Sequence, residues 1–207
     1  KEDWLGSADE PLSGFSWRYG SKATTKGILL WNDVFLHETE QGEKIAIVVV
    51  DTQGLFELNS SADTDARIFG LSTLLSSIQI INLKDVIQED QLQYLEMATE
   101  FTKFATKKQN EAGISATSKP FQNLLFLVRD WIDEEVGWGY EGGTQYQEDI
   151  FSVKSSRNEK AQNVRTNLNS SYDKISSFLL PFPGTNVTAN QNFNGSWGSV
   201  EPEFIAH

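Results

Sequence analysis

Six consecutive residues, Ile45 to Val50, carry no polar side chain, and the run breaks at Asp51-Thr52-Gln53-Gly54. An unbroken apolar and β-branched run of this kind suits a strand covered on both faces, as in the middle of a parallel sheet. The break places a carboxylate and then a glycine at the carboxyl edge of that strand, where open α/β sheets bind ligands. A carboxylate there can hold Mg2+ through water, and a glycine can bring its bare N–H against a phosphate oxygen. The D-x-x-G spacing describes such a phosphate-binding loop and equally an ordinary turn after a strand.

With 207 residues, 39 % of them apolar, the chain can fill one core, with thirteen Phe and six Trp available for it. A single α/β domain is the expectation. The formal net charge of −12 argues against nucleic acid as a partner, which would require clustered Lys and Arg, and against docking on anionic lipid. Cysteine is absent and His37 and His207 are the only histidines, which excludes disulfides and thiolate metal sites and leaves little for imidazole ligation. The start, KEDWLGSADEP, is charged where a signal peptide would be apolar, and no run approaches the length needed to span a bilayer. These residues are expected to be soluble, with any membrane attachment lying outside this chain.

In chain order, residues 14 to 18 suggest a short strand, 19 to 27 a polar, glycine-bounded loop, and 28 to 35 an apolar run. Residues 37 to 43 read as a hairpin turn into the Ile45 run, so an antiparallel pair is expected at one edge of the sheet. After a polar loop at 57 to 65, Ile68, Leu71, Leu74, Leu75 and Ile78 recur at helical spacing. A strand is expected at 78 to 82. A helix over 85 to 108 would present Tyr94, Met97, Ala98, Phe101, Phe104 and Ala105 as its core stripe. Beyond a loop at 107 to 120, Asn123 to Val128 reads as a buried strand ending in Arg129-Asp130-Trp131. Gly137, Gly139, Gly142 and Gly143 then suggest a long flexible loop. A helix at 158 to 170 precedes a strand at 175 to 180 and the turn Pro181-Phe182-Pro183-Gly184. Strands and helices alternate, which favours a mostly parallel central sheet with helices on both faces.

The order of these features, Thr25-Lys26-Gly27-Ile28, then DTQG at 51 to 54, then LVRDW at 127 to 131, then Pro-Phe-Pro-Gly, is similar to that of a Ras-like guanine-nucleotide-binding domain. More narrowly it resembles the dynamin-superfamily GTPases that include the guanylate-binding proteins and atlastins, in which Arg-Asp after a strand replaces the usual guanine reader. The resemblance to the atlastins runs through EPLSGFSWRYG at 10 to 20, NLKDVIQEDQLQYLEMATEF at 82 to 101 and KPFQNLLFLVRDW at 119 to 131, and covers essentially residues 1 to 207.

The resemblance implies GTP hydrolysis, with GTP and GDP as ligands and Mg2+ as cofactor. Thr25 would coordinate Mg2+ by its hydroxyl and meet the γ-phosphate by its N–H, with Thr24 as its competitor. Asp51 would hold Mg2+ through water, and Gly54 would sense the γ-phosphate. Gln53 would help position the attacking water, although small GTPases carry that glutamine after the glycine, where Leu55 stands here. Asp130 would read guanine, Arg129 would flank the base, and Pro183 and Gly184 would cap it. A nucleotide-dependent homodimer and the cytosolic face of the endoplasmic reticulum membrane, where the family drives homotypic fusion, are implied as partner and location. The family's phosphate cradle, G-x-x-x-x-G-K-S/T, occurs nowhere in the 207 residues. The chain is therefore expected to be a GTPase domain truncated at its N-terminus, inactive by itself. A soluble guanylate-binding-type GTPase and a catalytically silent interaction fragment are the alternatives.

Overall fold

The computed structural model describes residues 7–11, 13–17, 24–54, 61–107, 119–152 and 158–207. The loops expected at 19–23, 57–60 and 108–118 lie outside these. Four short strands come first: β1 (Ile28–Leu30), β2 (Phe35–Glu38), β3 (Lys44–Ile47) and β4 (Val50–Thr52). Helix α1 (Ala62–Leu75), strand β5 (Ile78–Lys84), helix α2 (Glu89–Lys107), strand β6 (Phe121–Trp131), helices α3 (Gly139–Phe151) and α4 (Glu159–Ser171), and strand β7 (Tyr172–Pro181) follow. Two short helices, α5 (Thr185–Thr188) and α6 (Pro202–Ala206), end the chain.

The core forms around a parallel sheet in the order β5-β6-β7. Its side chains alternate as strand geometry requires. Ile81 and Leu83 of β5, Leu124, Phe126 and Val128 of β6, and Leu179 of β7 are buried on one face. They join one cluster with Phe69 of α1, Leu92, Leu95 and Ala98 of α2, Phe151 of α3, and Val164 and Leu168 of α4. On the opposite face Ile80 and Asn82 are exposed and Leu125 and Leu127 half-buried.

Local chemistry starts the helices. Ser61 accepts the N–H of Thr64 and Asn158 that of Ala161, each satisfying a donor that the first helical turn leaves free. Arg165 of α4 then ties three helices together from a buried position. Its guanidinium forms a two-armed pair with Glu89 at the start of α2 (2.8 and 3.1 Å) and donates to the carbonyls of Ile150 in α3 and Ala161. With every arm occupied, the desolvated cation is compensated.

Several expectations are corrected. The run at 45 to 50 does not join the parallel sheet. β3 and β4 pair antiparallel with β2 and β1, as one hairpin ribbon whose register slips between Leu30↔Val50 and Phe35↔Ile47, and Leu36, Ile47 and Val48 stay exposed. The hairpin's polar tip pins that pairing, since Thr39 N–H donates to Glu43 O. Residues 14 to 17 are not a strand; Phe15 stacks edge-on against Trp31 instead.

On α1 and α2 most of the stripe chosen from apolar spacing faces outward, although Ala98 is buried as expected and Tyr94 half-buried. Leu71, Leu74, Leu75, Met97, Phe101 and Phe104 are exposed, while Ala66, Phe69, Leu92, Leu95, Ala98, Thr99 and Thr102 are buried. The buried stripe reads as polar because two threonines bond locally: Thr102 Oγ1 donates to Ala98 O, and Thr99 Oγ1 lies 3.2 Å from the Tyr172 hydroxyl. Gly70 faces Thr102 where the two helices cross.

The glycine-rich loop expected over 137 to 143 is helical from Gly139 onward. α3 lies along the free edge of β7, where Gln147 Nε2 donates to Ile175 O and covers an edge that would otherwise stay unpaired. A Cβ at Gly143 would come 2.0 Å from Ser177 O. Helix propensity disfavours glycine here, and close backbone approach demands it.

Two predictions follow from this packing. Gly143→Ala must push α3 off β7 and should lower stability by about 1–3 kcal/mol, whereas Gly14→Ala, with nothing within 4 Å of its added methyl, should change it by less than about 0.5 kcal/mol. Equal urea midpoints for the two variants would refute the close approach. The second concerns Tyr172, whose phenol burial pushes from 10.0 up to about 12. Thr99 bonds it; Thr73 Oγ1, though close, has no hydrogen-bonding geometry to any described partner. A folded pKa above the unfolded one means that the contribution is complete below about pH 10 and is lost as pH rises toward 12. Between about pH 8 and pH 11.5 the wild type should therefore lose about 1–2 kcal/mol more than Tyr172→Phe, read from urea unfolding at each pH.

Candidate functional site

Parallel register gathers the carboxyl ends of three strands at one edge. Asp85 follows β5, Arg129 and Asp130 close β6, and Pro181 ends β7 opposite Trp131. Asp130 takes φ +61° and Asp85 φ +66°, the left-handed region in which Asp and Asn are the commonest non-glycine residues. The register of β6 with β7 is irregular between Val128 and Trp131, so Asp130 leaves the regular ladder where it would otherwise continue. The residue is 8 % exposed, and its carboxylate accepts no hydrogen bond among the described residues. Its oxygens are not fully enclosed, so the carboxylate is open to incoming N–H donors.

Arg129 sits on the other face. Its Nε donates to Asn82 Oδ1 at 2.5 Å, and its carbonyl accepts the N–H of Asp85 at 2.8 Å. Beyond β7, Pro183 O accepts the Glu201 N–H, and Gly184 O accepts the N–H groups of Val187 and Thr188. Gly184 adopts φ +103°, and a Cβ there would meet the Glu201 side chain at 2.9 Å. The turn at 181–184 thus lies at the same edge as Asp130, braced from behind by the segment leading into α6.

A second cluster lies on the hairpin ribbon. Thr25 Oγ1 donates to Asp51 Oδ2 at 2.5 Å. Gln53 is bound to Gly27 twice: its N–H donates to Gly27 O at 2.8 Å, and its Oε1 accepts the Gly27 N–H at 3.2 Å. Gly54 has open space where a Cβ would stand, leaving its backbone approachable. Thr25 and the DTQG run, 26 residues apart in sequence, are therefore one structural unit. No hydrogen bond among the described residues joins its site residues to the Arg129-Asp130 edge, which belongs to a separate sheet.

The donor set at Thr25 and Asp51 suits Mg2+. Both atoms are hard oxygens of the kind Mg2+ prefers, the Thr25 hydroxyl as a direct ligand and the Asp51 carboxylate through a water. Among the described residues no group of three or more His, Cys, Asp or Glu converges as an all-protein metal cage. A groove of about 700 Å3 between α2 and α4, lined in part by Asp90, Tyr94, Met97 and Lys160, involves none of these residues.

Asn82 and Asp85 were missed as site residues by sequence reasoning. The signal is the run NLKD closing β5, the same sequence of apolar strand and then charge that singles out LVRD at the end of β6.

The family model described as "Guanylate-binding protein, N-terminal domain" matches residues 4–207. The chain is 43 % identical over 204 residues to Atlastin-1 of Bos taurus, 43 % over 203 residues to Atlastin of Drosophila melanogaster and 42 % over 203 residues to Atlastin-3 of Mus musculus. Each match takes in 98 % of this chain and 35–36 % of the relative, so the chain spans about a third of the length of the curated relatives it matches. With its parallel sheet carrying Arg-Asp at the carboxyl edge and a family match over nearly its whole length, the chain belongs to the guanylate-binding protein N-terminal-domain family, and the relatives it matches are atlastins.

Proposed function

We propose that this chain is the guanine-reading part of an atlastin-like GTPase domain. The observation that carries this reading is the Asp130 carboxylate, on a largely buried residue and without a hydrogen-bond partner among the described residues, at the carboxyl edge of three parallel strands. Guanine offers N1–H and a 2-amino group side by side, and a carboxylate accepts both. Adenine would turn a lone pair toward the same charge. Charge-assisted bonds of this type contribute about 1.5–3 kcal/mol each, enough to decide between the purines.

The other residues take roles around this one. Arg129 flanks the base, and Pro183 with Gly184 caps it from the end of β7. Thr25 and Asp51 hold Mg2+, which when bound neutralises charge on the phosphates. Thr25 and Gly54 present N–H groups to the γ-phosphate. Gln53 orients the attacking water once it exchanges its bond to Gly27 for one to that water. The nucleotide would span the ribbon and the parallel sheet, drawing its two clusters together.

Asp130→Asn in the full-length protein is the direct test. The amide leaves one guanine donor without an acceptor, but it can donate to the carbonyl that xanthine carries in place of the amino group. Hydrolysis of GTP at limiting concentration should fall by one to two orders of magnitude, about 1.5–3 kcal/mol. Xanthosine triphosphate should become the better substrate. A variant that still prefers GTP refutes the assignment of Asp130.

In the same reading the full protein forms a nucleotide-dependent homodimer that drives fusion of endoplasmic reticulum membranes from the cytosolic side. The family membership supports it, since segments ordered by γ-phosphate contacts and released on hydrolysis can gate association. Among the described residues no helix is long and apolar enough to cross a membrane. Sedimentation should give twice the mass with a GTP transition-state analogue as with GDP, and lipid mixing between vesicles bearing the protein should require GTP. Equal masses in both nucleotide states, or mixing without GTP, would sink this part.

A further inference from the structure

Asp130 can read a base only if the peptide before it is held still, and the structure shows what holds it. Arg129 is gripped from β5 at two points. The Asp85 N–H donates to its carbonyl at 2.8 Å, and its Nε donates to Asn82 Oδ1 at 2.5 Å. The second contact is diagonal across the open face of the sheet: Asn82 is in register with Leu127, and Arg129 with Lys84. Asn82 and Arg129 thus meet on the same face, two residues back from the strand end, while Asp130 turns away on the buried side.

This arrangement has a mechanical consequence. The left-handed residue at 130 interrupts the ladder between Val128 and Trp131, so β7 does not hold the peptide 129–130 in regular register. A non-glycine residue in that region persists where its neighbours over-determine it. Arg129 is the neighbour on the chain, and its side chain and carbonyl are both tied to β5. Asn82 is exposed, and its side-chain oxygen accepts from Arg129 Nε. An amide oxygen accepting from a guanidinium is a directional bond that restricts the rotamers of Arg129, and the Asp85 N–H on its carbonyl holds the backbone beside it.

We propose that Asn82 is a positioning residue for guanine recognition, acting through Arg129 to aim the Asp130 carboxylate. This rests on Asp130 being the base reader. Asn82 touches neither base nor phosphate; it narrows the range of directions in which Asp130 meets the two guanine donors. Loss of Asn82 therefore weakens the binding of guanine chiefly through Asp130, with a smaller share through Arg129 beside the base.

The test is a double-mutant cycle in the full-length protein, read as the Kd of a fluorescent non-hydrolysable GTP analogue and of the corresponding xanthosine analogue. Asn82→Ala alone should weaken the GTP analogue about 5- to 20-fold. In an Asp130→Ala background the same change should alter Kd by a clearly smaller factor, because the group it aims is gone and only the Arg129 contact with the base remains to be disturbed. Asn82→Asp should restore binding, since a carboxylate accepts from Arg129 Nε at least as well as the amide. Unfolding midpoints of all variants separate aiming from folding. An unchanged Kd for Asn82→Ala, an equal loss in both backgrounds, or a failure of Asn82→Asp to rescue in a folded protein would each overturn the inference. A different result marks failure of the underlying reading: Asp130→Asn without any shift between the guanosine and xanthosine analogues removes Asp130 as reader, whatever Asn82 does.

Discussion

The hydrogen-bonded register of β6 between two parallel neighbours is the constraint on which the rest of the molecule depends. Parallel pairing on both sides fixes where three strands end, and they end together. Asp85, Arg129, Asp130 and the turn after Pro181 are brought to one edge by that register. Alternation along β6 then sorts the two adjacent site residues, sending Arg129 to the open face and Asp130 to the buried one. A one-residue slip would exchange them, leaving a guanidinium in the core and the carboxylate in water.

Around this sheet, polar groups define the geometry as much as apolar ones do. Arg165 unites α2, α3 and α4 because its guanidinium has five donors and finds acceptors on all three helices. Thr99 and Tyr172 bond each other inside the core, and Gln147 covers the outer edge of β7. Each of these fixes an orientation that packing alone would leave adjustable. The free edge of a parallel sheet is thereby closed by a helix, and Gly143 lets that helix come close enough to Ser177, while Gly142 packs against the Gly137 carbonyl of the turn before it.

The ribbon of β1 to β4 obeys a different logic. It is stabilised along its length by its own ladder and at its tip by the Thr39–Glu43 turn, and its apolar side chains remain largely exposed. Its chemistry is nonetheless concentrated at one end, where Thr25, Gly27, Asp51 and Gln53 bond one another. Thr25 pairs with Asp51 directly, which is how two hard oxygens that would share a cation arrange themselves around a proton instead.

By itself the sequence determined the kinds of element and the chemistry at their ends. Strands at 78 to 84 and 121 to 131, helices at 89 to 107 and 159 to 171, and the hairpin at 39 to 43 are close to where periodicity and turn residues put them. Thr25, DTQG and Arg129-Asp130 stood out as polar breaks after apolar runs. Tertiary structure decided which face of each element points inward. On α1 and α2 the apolar stripe is outward and the threonine-bearing stripe inward, because a hydroxyl bonded to its own helix carbonyl, or to Tyr172, is as much at home in a core as a methyl group. It decided that glycines at 139, 142 and 143 build a helix and not a loop, with Gly143 set against Ser177 O and Gly142 against Gly137 O where no Cβ would fit. It decided, too, that Ile45 to Val50 pairs antiparallel. Composition records that a strand is apolar; which strand lies beside it depends on contacts between residues far apart in the chain, and no local pattern carries those.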